Sequence, residues 1–415
     1  SSNLLLDAGY AADQFALAGT ASMAMDMLDE GTKRRSALQI SDELARLGAN
    51  LTAGSNLDLS SVTLSALKEN LDPSLDIFAD VILNPSFPAD ELERLRKRRL
   101  AQIQQEKVQP LQMAQRVFPK LLYGEGHAYA NPFTGSGTEA TVERITLDEL
   151  TKFHRDWFKP NHATLVIVGD TTLAEIKPKL EKLFANWKSG DVPKKNISSV
   201  SHQEQASVYL IDRPGSIQSV ILAAHIAPPK ANPEEIAIET LNTILGGNFT
   251  ARINMNLREN KHWSYGARSI VVDARGQRPF ITFAPVQTDK TSESMAEILK
   301  ELKGILGEIP ITDDELAKAK ASQTLTLPGQ WETITAVGNS IGEIVRFGLP
   351  DDYFQTYAEK VKALGMNDVQ RAAENVVYPG KLVWVVVGDR EKIEPAIQKL
   401  ELGPVRLMDA DGNIK

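Results

Sequence analysis

Cysteine is absent from the 415-residue sequence, which excludes disulfide bonds, thiolate catalysis and cysteine-based zinc sites. Long apolar runs are absent too, since none approaches the roughly 20 residues needed to cross a bilayer. Basic residues are outnumbered by acidic ones, 46 against 54, and the net charge of −8 argues against nucleic acid or anionic lipid as a main partner. A local basic run, RLRKRR at 94–99, falls on a predicted helix rich in Glu and Gln, so we interpret it as a solvated helix face.

Histidine is scarce, and the six histidines include no pair at H-x-x-x-H spacing. The stretch GTASMAMDML at 19–28 is predicted to be helical, which places Ser22, Met25 and Asp26 on one face at i, i+3 and i+4. This is the spacing at which His, Glu and His of an H-x-x-E-H helix bind zinc and position a general base. Of the three side chains here, only the Asp26 carboxylate is a good zinc ligand, and Met25 cannot act as a base because it has no proton to exchange.

What the sequence does contain is an internal repeat. FKPNHATLVIVGD (158–170) and VYPGKLVWVVVGD (377–389) each predict a turn followed by a β-strand that ends at Gly-Asp. The helix predicted over 87–102 has a counterpart over 311–326, and both begin with acidic residues, which suit a helix N-terminus. The sequence therefore contains the same order of predicted elements in each of two halves.

The repeat predicts an α+β fold of two homologous halves, each a mainly antiparallel sheet with helices packed on one face. We place the N-terminal half at 1–188, a polar linker at 189–205 and the C-terminal half at 206–415. The second half opens with two predicted strands and the first half with one. The sequence also begins with Ser rather than Met, so we expect a first-half strand and the natural N-terminus to lie upstream.

Four stretches, taken in order, resemble the pitrilysin/insulinase-type zinc metallopeptidases, in particular the small two-subunit bacterial members related to mitochondrial processing peptidase. The stretches are DEGTKRRSALQISDELARLGANLTAG (29–54), the segment 131–170, RPGSIQSVILA (213–223) and LGGNFTARINMNLRENKHWSYGARS (245–269). Their order and spacing carry the resemblance, which covers nearly the whole chain.

The resemblance assigns positions to a lost metal site. In active family members the first-half helix is G-x-x-H-x-x-E-H-M, which places the first His at Ser22, the Glu at Met25 and the second His at Asp26. The third zinc ligand, a Glu on a later helix, corresponds to Gln102. All four residues are replaced, so the resemblance implies no metal or other cofactor in this chain.

The second half retains Arg258 and Tyr265 within LRENKHWSY. In the resembled family this pair reaches the zinc site and stabilises the substrate and its developing oxyanion, a role that lowers the barrier because the donors bind the transition state most tightly. On the residues alone, Arg258 is equally typical of a surface arginine near a helix end, and Tyr265 of an aromatic that opens a strand.

The function implied by the resemblance is that of a non-catalytic, metal-free subunit of a heterodimeric zinc metalloendopeptidase. Its partner is a homologous H-x-x-E-H subunit that binds the zinc, and its substrates are unfolded or short peptides. Two alternatives stay open: a non-enzymatic peptide-binding or scaffold subunit of a larger assembly, and an autonomous peptidase that uses Asp26. The expected location is the bacterial periplasm, with the cytoplasm as the alternative.

Overall fold

The chain alternates between helices and short strands along its whole length. The computed structural model describes all residues, Ser1–Lys415. The strands are β1 (Ser2–Leu6), β2 (Asn50–Ser55), β3 (Ser60–Ser65), β4 (Ala163–Ile167), β5 (Ser207–Asp212), β6 (Gln218–Ala227), β7 (Arg268–Val271), β8 (Arg278–Gln287), β9 (Val383–Gly388) and β10 (Val405–Met408). The helices are α1 (Thr20–Asp26), α2 (Ala37–Leu47), α3 (Leu71–Leu83), α4 (Ala89–Glu106), α5 (Pro110–Tyr123), α6 (Glu139–Val142), α7 (Leu147–Trp157), α8 (Leu173–Leu183), α9 (Glu235–Asn242), α10 (Arg252–Asn254), α11 (Thr291–Lys303), α12 (Asp313–Leu325), α13 (Ile334–Phe347), α14 (Tyr353–Ala363), α15 (Met366–Val376) and α16 (Arg390–Gln398).

The first compact unit is built on a four-stranded sheet. Its order is β2-β3-β1-β4 and all its pairs are antiparallel. Leu4 and Leu6 of β1 and Val62 and Leu64 of β3 point into one core with the buried residues of α1, α3 and α7. Residues two apart on a strand share a face, so this alternation defines the side of the sheet that carries the main helical layer.

The second unit is built on a six-stranded sheet with the order β10-β5-β9-β6-β8-β7. The pairs that involve β5 are parallel and the others are antiparallel. Every residue of β9 is buried, as its unbroken apolar sequence VWVVVG requires of a strand covered on both faces. Trp384 and Val386 of β9 pack in the core with α9, α11, α15 and α16.

One helix covers the second face of each sheet. Helix α5 packs against β6 and β9 of the six-stranded sheet. Helix α13 packs against β1 and β4 of the four-stranded sheet, where Val345 contacts the cluster of Leu5, Leu59 and Val166. The two helices follow α4 and α12, which are counterparts in the repeat, so α5 and α13 are themselves counterparts.

The α+β class, with two repeated and mainly antiparallel sheets, is confirmed. The structure differs from the sequence interpretation in where the segments belong. Residues 105–132, which contain α5, form part of the second unit, and residues 328–349, which contain α13, form part of the first. The contiguous ranges 1–188 and 206–415 therefore do not describe the compact units, and each sheet carries a helix on a face that the sequence interpretation left open.

The predicted linker 189–205 contains no helix and no strand. The four-stranded sheet has no counterpart of β5, which agrees with the single strand predicted at the start of the first half. None of the sixteen helices combines the length and the apolar composition that a bilayer crossing demands.

Candidate functional site

Helix α1 forms the face on which the zinc motif of the resembled family would lie. It begins after Gly19, whose positive φ of 97° is a conformation that side chains disfavour. The carboxylate of Asp13 accepts hydrogen bonds from the backbone N–H groups of Gly19 and Ala21, both at 2.7 Å, and so satisfies donors at the helix start. Asp13 is buried, and this desolvation raises the pKa of its carboxyl to about 7 against the opposing effect of these N–H groups.

Ser22, Met25 and Asp26, the three positions on α1 that the resemblance assigns to the zinc motif, each contact other residues of the first unit. The Ser22 hydroxyl donates to the carbonyl of Gly135 at 2.8 Å. Met25 is completely buried among the apolar residues of the core. Asp26 accepts a hydrogen bond at 2.7 Å from the guanidinium of Arg99 on α4. The side chains of this face thus hold α1 in place.

Arg99 is the residue that brings the remaining positions together. Besides its ion pair with Asp26, its guanidinium donates to the side-chain oxygen of Gln102 at 3.3 Å. The Arg99 side chain is only 11% exposed, and Arg98 lies 3.6 Å from the same Asp26 carboxylate. A cationic group therefore lies between two of the positions that the resemblance assigns to zinc ligands.

The residues present do not fit a zinc ion. Zinc is bound by imidazole, thiolate or carboxylate groups, and Asp26 is the only such group among the four positions. Its negative charge is already neutralised by Arg99, and a guanidinium in that place repels a divalent cation. The chain offers no group of three or more His, Cys, Asp or Glu side chains that could hold a metal ion.

Arg99 is also a residue that the sequence interpretation missed. We interpreted the run at 94–99 as a solvated face, and this is wrong for two of its members. Arg96 is 13% exposed and donates to the backbone carbonyls of Val142 and Ile145, while Arg99 pairs with Asp26. The contacts join residues more than 40 positions apart, so no local pattern in the sequence indicates them.

The second-half pair, Arg258 and Tyr265, lies between α10 and β7. Arg258 belongs to a π-helical segment, Met255–Asn260, and such segments are rare and often occur at functional sites. Both side chains line one cleft of 260 Å³, together with residues such as Gln218 and His262. The structure therefore brings together the two residues that the sequence singled out.

Arg258 is held by weak surface contacts. Its guanidinium lies over the ring of Phe249, with 4.6 Å between the Cζ atom and the ring centroid, and its Nε lies 3.3 Å from the carboxylate of Glu259. Both members of this ion pair are 40% exposed, so the pair contributes little to stability. The stacking on Phe249 limits the rotation of the guanidinium and leaves its N–H edge accessible.

The Tyr265 side chain projects into solvent, and the backbone next to it is fixed by hydrogen bonds. Ser264 donates its hydroxyl to the carbonyl of Pro285 at 2.6 Å and accepts the N–H of Gly266 at 3.1 Å, so the backbone is held on both sides of the tyrosine. The tyrosine itself is 85% exposed, the second most exposed of the large hydrophobic side chains. A fixed backbone with an exposed phenol is an arrangement suited to a ligand outside the chain.

Comparisons with known proteins assign the chain to a family. The profile described as Insulinase (Peptidase family M16) matches residues 1–128, and the profile described as the Peptidase M16 inactive domain matches residues 144–323. An uncharacterized zinc protease of Rickettsia bellii is 23% identical over 326 residues, 78% of this chain and 77% of that protein. The non-peptidase homolog YmxG of Helicobacter pylori is 20% identical over 376 residues, 90% of this chain and 85% of that protein.

A solved structure extends the similarity to three dimensions. The crystal structure of a peptidase M16 inactive domain from Pseudomonas fluorescens has a TM-score of 0.86 to this chain at 25% identity, covering 93% of this chain and 92% of that one. The two family profiles follow one another in the order of the two halves and together cover well over half of the sequence. This chain belongs to peptidase family M16, the insulinase family, and its sequence contains no H-x-x-E-H motif.

Proposed function

We propose that this chain is the metal-free subunit of a heterodimeric zinc metalloendopeptidase, in which Arg258 and Tyr265 complete the active site of a homologous H-x-x-E-H partner. The observation that carries the proposal is that both side chains line one cleft while Tyr265 remains 85% exposed. A scaffold has no need of a guanidinium and a phenol held side by side at the surface.

The proposed chemistry follows from the two donors. A zinc ion bound by the partner subunit would supply an activated water for attack on a peptide carbonyl. As negative charge develops on the carbonyl oxygen, the Arg258 guanidinium and the Tyr265 hydroxyl donate hydrogen bonds to it. The ring of Phe249 orients the Arg258 guanidinium, and the hydrogen bonds of Ser264 fix the backbone from which the Tyr265 side chain projects. Donors that are positioned before the reaction are the most effective ones.

The proposed substrates are unfolded or short peptides. An extended peptide can add to the edge of a sheet through backbone hydrogen bonds, which provide affinity with little dependence on sequence. Strand β7, which begins shortly after Tyr265, is one of the two edge strands of the six-stranded sheet. The proposed location is the bacterial periplasm, with the cytoplasm as the alternative, and fractionation of native cells with immunodetection of this chain tests it.

The experiment is performed on the complex of this chain with the homologous H-x-x-E-H protein that copurifies with it from the native host. Peptide cleavage is measured with and without a chelator, for wild type and for Arg258→Ala and Tyr265→Phe in this chain alone. We expect each change to lower kcat/KM by about 10²–10³-fold, the usual cost of one oxyanion donor. The zinc content of the complex should not change.

The matched control is Arg406→Gln. Arg406 is also an exposed arginine next to an aromatic ring, that of Tyr209, but it lies on β10 at the other edge of the same sheet. It should leave kcat/KM unchanged. Full activity of both the Arg258 and the Tyr265 variants would refute the shared site and favour the scaffold function instead, while cleavage by the isolated chain would favour an autonomous peptidase.

A further inference from the structure

A second and larger cleft, of 660 Å³, lies along β7 beside the Arg258–Tyr265 pair. It is lined by β7 itself, by the glycines Gly246 and Gly247 and by three asparagines. Because β7 is the last strand of its sheet, it pairs with β8 on one side only. The cleft therefore lies at an unpaired strand edge and is lined by amide side chains, and both are features that suit an extended peptide.

Glycine at position 246 is required for the shape of this cleft. A Cβ atom there would lie 2.2 Å from the backbone nitrogen of Ser269 on β7, a distance that no side chain tolerates. The glycine thus lets the π-helical segment Thr243–Gly247 close onto the strand. Gly247, next along the chain, adds bare backbone to the lining.

All charged side chains that line this cleft are basic. The lining contains two arginines, Arg258 and Arg268, and no Asp or Glu, although acidic residues outnumber basic ones in the chain as a whole. The guanidinium of Arg268 lies over the ring of Phe283, with 5.4 Å between the Cζ atom and the ring centroid, and Arg268 forms no ion pair. An exposed guanidinium that is stacked on a ring and free of carboxylates is prepared to bind an anion through its N–H edge.

We propose that this cleft binds extended peptides that carry a carboxylate, and that Arg268 is the residue that selects them. The peptide lies along β7, and its carboxylate pairs with the Arg268 guanidinium, the group whose planar fork matches a carboxylate best. The proposal deepens the proposed function, since it names the substrate class for the same face of the protein. The carboxylate is that of an Asp or Glu side chain or of the peptide C-terminus.

The test is a binding measurement on the full chain alone, without its partner. Three fluorescein-labelled, unstructured peptides are compared by fluorescence polarisation: one with a single Glu and an amidated C-terminus, the same peptide with Gln, and the Gln peptide with a free C-terminus. We expect the Glu peptide to bind at least about tenfold more tightly than the amidated Gln peptide, as a charge-assisted pair provides. The third peptide shows whether a terminal carboxylate serves as well.

Variants connect the preference to Arg268. Arg268→Gln should abolish the difference between the Glu and Gln peptides, Arg268→Lys should retain part of it, and Arg268→Glu should favour a matched Lys peptide. Arg406→Gln, the exposed arginine at the opposite sheet edge, should behave as wild type. Unchanged circular dichroism and thermal melting of each variant establish that the fold is intact.

Two results would overturn the inference. One is equal affinity of the wild-type chain for the Glu and Gln peptides, and the other is a Glu preference that survives in Arg268→Gln. Because the measurement needs neither zinc nor partner, either result leaves the proposal for Arg258 and Tyr265 standing. Conversely, a carboxylate preference in a chain whose Arg258 and Tyr265 variants keep full activity in the complex would show a peptide-binding subunit without a shared active site.

Discussion

The two halves of the repeat differ in the exposure of their candidate site residues. On α1, Met25 is fully buried and Asp26 is paired with Arg99, so these two positions, which the family resemblance assigns to the zinc motif, stabilise the packing of the first unit. In the second unit, Tyr265 is 85% exposed and Arg258 is held only by an aromatic ring and a surface ion pair. The candidate positions of the first half are therefore packed and paired within their own unit, whereas those of the second half have surfaces that a ligand can contact.

The clefts beside the edge strands β2 and β7 differ in the charge of the residues that line them. The cleft beside β2 in the first unit is lined by Asp29, Glu30 and Glu91 with a single arginine. The cleft beside β7 in the second unit is lined by two arginines and no acidic residue. Counterpart edges of one repeated fold therefore carry linings of opposite charge, which is a property of their side chains and not of the fold.

The largest expected effect comes from restoring the general base of the motif by Met25→Glu. The new carboxylate would lie in an apolar core with no partner, and such an uncompensated charge costs about 3–5 kcal/mol. We expect the free energy of unfolding, from urea titration at neutral pH, to fall by that amount. Met25→Leu is the control that keeps the volume, and equal stability of the two variants would show that α1 is not part of the core.

The next effect is a pH dependence in the first unit. Burial raises the pKa of Asp13 to about 7, above its unfolded value, so its contribution is fully present at acidic pH and is lost as the pH rises through the folded pKa. The wild type should therefore lose stability relative to Asp13→Asn by about 1.4 kcal/mol per pH unit between about pH 5 and pH 7. Parallel stability curves for the two proteins would contradict this assignment.

The second unit should show the opposite slope. His225 is buried against Phe280, and desolvation lowers its pKa to about 3, so its contribution is present above the unfolded pKa and is lost as the pH falls. Relative to His225→Gln, the wild type should lose stability between about pH 6 and pH 4, by at most about 1.4 kcal/mol per pH unit. The measurement is urea unfolding across that range, and a difference that does not change with pH would refute it.

A smaller effect is expected in the strength of the ion pairs that Arg99 and Arg258 form. Arg99 is 11% exposed and pairs with Asp26, whereas Arg258 is 40% exposed and pairs with Glu259. A double-mutant cycle of Arg99→Met with Asp26→Asn should give a coupling of about 1–2 kcal/mol, and the cycle of Arg258→Met with Glu259→Gln less than about 0.5 kcal/mol. Equal coupling energies would contradict the view that Arg99 stabilises the fold while Arg258 is accessible to a ligand.

The smallest effect is expected on catalysis by the complex. Ser22→Ala and Gln102→Ala change positions that the family resemblance assigns to zinc ligands but whose side chains do not fit a metal, so each should leave kcat/KM of the proposed heterodimer within about twofold of wild type. The same assay detects the large losses expected for Arg258 and Tyr265. A loss comparable to those in either variant would mean that the first half still contributes to the reaction.

Much of the fold could be predicted from the sequence because the relevant signals are local. The apolar run ending at Gly388 predicts β9, and the helix of residues 19–28 is observed as α1. The location of α5 and α13 could not be predicted, since an amphipathic pattern shows that a helix has a buried face but not which sheet covers it. The contact of Arg99 with Asp26 was missed for the same reason, because it joins residues 73 positions apart.

The sequence was sufficient to identify the family, the internal repeat and the absence of an H-x-x-E-H motif, and to single out Arg258 and Tyr265 as candidates, since these depend on which side chains are present and in what order. The tertiary structure alone decided that a guanidinium lies between Asp26 and Gln102, that Tyr265 is exposed, and that the cleft beside β7 contains only basic charge. Exposure, pairing and local charge are set by residues distant in the sequence, and only the folded chain brings these together.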